Sequence, residues 1–114
     1  MVLLWFWAAW LAQGQTQVIV QEGAIDSRSL SGHVNGGLEN AALKKVVVEL
    51  CSPCWKAVLA STDTDNAGYF SFKKPPGKLF YLRFFAPGFH QLEIKVRIDK
   101  HATHDLVIQM LMAT

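Results

Sequence analysis

QLEIKVRID, residues 91–99, alternates apolar and charged side chains without a break: Leu92, Ile94, Val96 and Ile98 against Glu93, Lys95 and Arg97. Successive side chains of an extended strand point to opposite faces, so a period of two describes a strand buried on one side and wetted on the other. The same period recurs at Leu30, Gly32 and Val34, at Val46, Val48 and Leu50, at Phe80, Leu82 and Phe84, and at Leu106, Ile108 and Met110. Turn-forming clusters separate these runs: Asn35-Gly36-Gly37, Ser52-Pro53, Asp65-Asn66-Ala67-Gly68, Pro75-Pro76-Gly77 and Pro87-Gly88. No segment carries a helical stripe of useful length. About seven short strands spaced this way, read as antiparallel, predict an all-β fold, a Greek-key β-sandwich.

One stretch, TDTDNAGYFSF at residues 62–72, admits a second reading. Asp63, Asp65 and Gly68 stand where a calcium-binding EF-hand loop has its first two ligands and its glycine. The loop then needs an oxygen ligand at residue 67 and a bidentate Glu at residue 74, and Ala67 and Lys74 occupy those places. A methyl and a cation cannot complete an oxygen cage. The stretch is expected to be a hairpin instead, with Asn66 and Gly68 available for positive φ and with Phe70 and Phe72 facing the core while Tyr69 faces outward.

The 114-residue chain is long enough for one core, and its 51% apolar composition excludes disorder. A formal charge of +2, dispersed along the chain, gives no footprint for nucleic acid or an anionic membrane surface. The apolar residues are concentrated at the start, where MVLLWFWAAWLAQG holds three of the four tryptophans and no charged side chain. The run Val2–Ala12 is too short to be a transmembrane helix, which takes about 20 residues, so no transmembrane anchor is expected. Its length suits the apolar core of a secretory signal peptide, and Ala12-Gln13-Gly14 offers small residues for cleavage. A buried first strand or helix is the alternative. The organisation expected is a signal peptide over 1–14, a polar linker or N-terminal arm over 15–27, and the domain over 28–114, in a secreted, periplasmic or cell-envelope protein.

In their order and spacing, five motifs resemble the carboxypeptidase regulatory-like domain. They are Gly32-His33-Val34, Val46-Val47-Val48, the T-D-x-x-G-x-F run from Thr64 to Phe70, the strand from Gly77 to Leu82, and Ala86-Pro87-Gly88-Phe89. The resemblance covers about residues 28–112. It implies a transthyretin-like sandwich, with Gly68 serving the turn, Phe70 the core and Pro87-Gly88 a sharp corner. It also implies a non-catalytic module, of the kind attached to peptidases, outer-membrane receptors or other exported bacterial proteins, with no cofactor. A related hydrolase branch ends in Y-R-G-S, and the Met110–Thr114 stretch does not match it.

Three residue groups raise further possibilities. Cys51-Ser52-Pro53-Cys54 has the C-x-x-C spacing of thiol oxidoreductases, so a small thiol-redox protein is the alternative function. Such chemistry needs a helix N-terminus or a cation beside the first sulfur, and Lys56 is the only cation near it in sequence. In an oxidising compartment the same pair could close the turn as a disulfide. His101 and His104, with Cys51 and Cys54, formally number four zinc ligands, but the histidines fall in a loop between strands and no metal site is expected. Finally, Tyr69, Tyr81, Arg83 and Phe85 are outward-facing large groups that could form one surface for a protein or carbohydrate partner, covered in the alternative by an arm or loop. The chain is expected to be a monomer or a weak oligomer.

Overall fold

The structure is a computed structural model that describes residues 18–73 and 77–113. The apolar run Val2–Ala12 and the expected cleavage site lie outside the described residues. Nine strands are present among them: β1 (Val18–Ser27), β2 (Ser31–Gly36), β3 (Ala41–Ala42), β4 (Val47–Cys51), β5 (Val58–Asp63), β6 (Tyr69–Ser71), β7 (Leu79–Phe85), β8 (Gln91–Ile98) and β9 (Leu106–Met110). A single 3₁₀ turn, Pro53–Trp55, joins β4 to β5. The described residues are all-β, as the alternation predicts. The two strands beyond the expected seven are β3, only two residues long, and β1, which occupies the stretch read as a linker or arm.

Two mixed sheets share one core. The first runs β1-β8-β7-β4-β5, and the second has β2 at its centre with β9 on one side and β3 and β6 on the other. The inward sets are those that the alternation marks: Val48 and Leu50, Phe80, Leu82 and Phe84, and Leu92, Ile94 and Val96 from the first sheet. Val34, Phe70, Leu106, Ile108 and Met110 answer them from the second. Phe70 meets Phe84 edge to face at 5.5 Å, which ties the two layers at their centre. Buried aromatics of this kind dominate core energetics, at about 3–5 kcal/mol lost on truncation.

Two expectations about strand pairing need correction. The strands are not all antiparallel: β1 runs parallel to β8, and β2 runs parallel to β9. Alternation reports which faces are buried and is blind to the direction of the neighbour, so this could not be read from period alone. At Gly32 the parallel approach of β9 is so close that a Cβ would collide with the Leu106 carbonyl, which explains the glycine of the G-H-V motif.

The second correction concerns residues 64–68. They do not close a hairpin, because β5 pairs with β4 in the first sheet while β6 pairs with β2 in the second. The turn carries the chain across the core. Buried Thr64 anchors it: its Oγ1 accepts from the Val46 N–H at 2.9 Å and donates to the Leu43 carbonyl at 2.6 Å. Asp65 Oδ1 accepts from the Ala67 and Tyr69 N–H groups at 2.9 and 3.0 Å, so its carboxylate is spent on the backbone. Gly68 takes φ +77, where a Cβ would come within 2.7 Å of the Val34 carbonyl oxygen. Asn66 is not in the left-handed region. Phe70 is buried, Tyr69 is exposed and Phe72 packs on the core, as expected.

Candidate binding face

The outer face of the first sheet is built by register. Glu49 of β4, Arg83 of β7 and Glu93 of β8 lie opposite one another, and in the next row Cys51, Tyr81 and Lys95 do the same. A cation flanked on both sides by carboxylates is the favourable cross-strand arrangement. Arg83 Nε donates to Glu93 Oε2 at 3.1 Å and Nη1 to Glu49 Oε1 at 3.3 Å, and these side chains are 12–26% exposed. The guanidinium is therefore partly desolvated and held from both sides within the sheet through Nε and Nη1, which fixes its position on the face.

The link between β4 and β5 covers this cluster. Ser52 closes the turn twice, its N–H donating to the Ala57 carbonyl at 2.8 Å and its Oγ accepting from the Ala57 N–H at 2.9 Å. Inside it Cys54 and Trp55 both adopt left-handed backbone, with φ of 62 and 63. Non-glycine residues in that region cost about 1–3 kcal/mol each and persist where surroundings hold them. Here the Ser52–Ala57 closure holds the ends of the turn, and the contacts to the sheet come from Trp55. Its carbonyl accepts from Arg83 Nη2 at 3.5 Å, its ring lies 5.8 Å from the guanidinium carbon, and it meets the Tyr81 ring edge-on at 5.1 Å. A guanidinium at that distance from an indole gains cation–π attraction.

Beyond the covered centre the face mixes apolar with charged groups: Lys95 stands opposite Tyr81, and Arg97, opposite Leu79, pairs with Asp26 at 2.7 Å. Phe85, beside its register partner Val47, is 51% exposed at one end of β7, and Leu79 is 47% exposed at the other. Val18 and Val20 of β1 are likewise exposed. Of the four residues expected on one surface, Tyr81, Arg83 and Phe85 share this face. Tyr69 does not: it belongs to the second sheet, with its ring 5.2 Å from that of His33. The cause is the crossing turn, which sends the chain to the opposite layer between β5 and β6. The cover over Tyr81 and Arg83 is a loop, as the alternative reading anticipated, and its working residue is Trp55. Glu49, Glu93 and Trp55 were not singled out by sequence; the outward alternation marks both glutamates, but only register shows that Arg83 stands between them.

Both thiols are free, Cys51 buried and Cys54 exposed. Burial pushes the Cys51 thiol pKa above its usual value; Arg83 opposes that shift, and Glu49 and Glu93 add to it. The cation acting on Cys51 is thus Arg83, not Lys56. Its sulfur lies 3.9 Å from the Glu49 carbonyl oxygen, turned back along its own strand. His101 and His104 are exposed in the loop before β9, and among the described residues no group of three or more His, Cys, Asp or Glu side chains is placed to hold a metal ion.

Elsewhere, where both sheets end at β1 and β9, a groove of about 380 Å³ is lined by Ile19, Ile25, Leu92, Ile94 and Ile108, with Gln21 and Gln109 as polar lining groups. No protein-family model matches this chain, and no curated protein matches it.

Proposed function

We propose that this chain is a non-catalytic β-sandwich module that binds a protein partner through the outer face of its five-stranded sheet. The observation that carries the reading is the pairing of exposed Phe85 and Leu79 with an ordered aromatic and arginine centre on the same strand. Aromatic and arginine side chains supply most interface energy when held in place, and apolar groups around them exclude water. A Greek-key, transthyretin-like arrangement of the carboxypeptidase regulatory-like type fits this use. In its favour, Thr64, Asp65, Gly68 and Phe70 of the T-D-x-x-G-x-F run each have a structural task. The module acts outside the cytoplasm, secreted or at the cell envelope, with the mature chain starting near Gln15.

The thiol-redox alternative asks for a first cysteine whose pKa is lowered, and the raised pKa of buried Cys51 speaks against it. A photo-crosslinking side chain at position 85, compared with one at exposed position 107 on the second sheet, tests the face. Crosslinks at 85 alone are expected, and crosslinks at 107 alone, or equally at both, overturn the reading. For export, mass spectrometry of the mature protein decides: an intact Met1 on cytoplasmic material contradicts it.

A further inference from the structure

We infer that Cys51 and Cys54 form a redox modification site whose oxidation unseats Trp55 from Arg83 and Tyr81. A disulfide requires its two Cβ atoms about 4 Å apart with a dihedral near 90°. Here one sulfur is buried and turned toward the Glu49 carbonyl, while the other belongs to an exposed residue of the turn. Joining them requires the Cys51 sulfur to leave the Glu49 carbonyl and the Cys54 sulfur to turn inward, and the strained backbone of Cys54 is the place in the turn where that movement is absorbed. That residue holds φ 62 and immediately precedes Trp55 at φ 63, so these two left-handed residues determine where the indole lies. The conformation has no intrinsic preference for side-chain-bearing residues; it survives on the Trp55 contacts with Arg83 and Tyr81 and on the Ser52–Ala57 closure. A rotation at Cys54 large enough to bring its sulfur to Cys51 carries Trp55 off the face.

The oxidant is a low-molecular-weight disulfide. The Cys54 thiolate attacks one of its sulfurs, the oxidant's S–S bond breaks, and one small thiol leaves. As the turn opens, the Cys51 thiolate attacks the Cys54 sulfur, forming the internal disulfide and releasing the second small thiol. The protein loses two electrons and two protons, and the oxidant becomes two thiols. The consequence for binding rests on the proposed function: the oxidised form presents Tyr81 and the Arg83 guanidinium uncovered, and so sets which surface a partner meets.

The experiment uses the full chain with Trp5, Trp7 and Trp10 replaced by Phe, which leaves Trp55 as the sole tryptophan. With oxidised glutathione as the probe, the expected product is lighter by two hydrogens, emits at longer wavelength, is more readily quenched by acrylamide, and keeps its β-sheet circular dichroism. A dithiol reductant restores the starting emission, and Cys54→Ser abolishes the response. The inference is overturned if the internal disulfide forms without moving the Trp55 emission, if only a mixed disulfide on Cys54 accumulates, or if oxidation unfolds the sheets. None of these readouts involves a partner, so their failure is separate from a failure of crosslinking at position 85.

Discussion

The two connections that flank β5 solve the problem of reversing a chain in opposite ways. At residues 64–68 the left-handed position is filled by Gly68, the carboxylate of Asp65 caps two N–H groups, and Thr64 is buried between backbone partners. At residues 52–57 the left-handed positions are Cys54 and Trp55, and the side chains that stabilise them lie on β7. The first turn is specified by its own residues. The second is specified by what it rests upon. Locally consistent segments hold a fold in place, whereas strain that only tertiary contacts maintain can be released by changing those contacts.

The largest test of that contrast lies just past the first turn. Phe70→Ala should cost about 3–5 kcal/mol by urea denaturation, because the ring bridges the two sheets, while Tyr69→Ala should cost less than about 1 kcal/mol. Equal losses would mean that the register of β6 is displaced by one residue. Within the turn, Gly68→Ala should cost about 2 kcal/mol or more, from left-handed backbone and the approach to the Val34 carbonyl. A neutral result would remove the claim that this turn is specified locally.

A gentler effect comes from Cys51, beside the second turn. Its folded-state pKa lies above the ordinary value of 9.0, so above that pH the unfolded chain releases a proton that the folded chain retains. Stability contributed by the neutral thiol is complete below about pH 9 and is lost as pH rises through the folded pKa. Urea midpoints measured with rising pH should fall more steeply for the parent than for Cys51→Ala, and Cys54→Ala should behave like the parent. The smallest effect sharpens the comparison most: Cys54→Gly should be neutral or stabilising by up to about 1 kcal/mol, since glycine relieves the left-handed penalty and loses more entropy on folding. A clear loss on that substitution would show that the second turn depends on the Cys54 side chain, not on Trp55.

Much of this arrangement was legible from alternation. Leu92, Ile94, Val96, Phe80, Leu82 and Phe84 all point inward as their spacing indicates. What alternation could not carry is partnership. β1 was hidden because it is an edge strand with one apolar triplet, because Gln21 and Gly23 interrupt the apolar alternation between Ile19 and Ile25, and because its ladder breaks between Val20 and Ala24. The direction of β9, the sheet change between Asp63 and Tyr69, and the separation of Tyr69 from Tyr81 are likewise properties of pairing. The covered centre of the face was out of reach for a different reason: nothing in Ser52–Lys56 favours a left-handed Trp55, and only Arg83 and Tyr81, some 30 positions later, make it stable.

The two parallel pairs also set when the molecule can exist. Each joins stretches roughly 70 residues apart, Val18 to Gln91 and Gly32 to Leu106. A ribosome adding about 5–20 residues each second must therefore release β8 and β9 before either sheet can close. Until then β1 and β2 have no β8 or β9 to pair with, and only β2 can recruit nearer neighbours. Loop closure over such a span slows folding, so β1 stays without its partner while roughly 70 further residues are added.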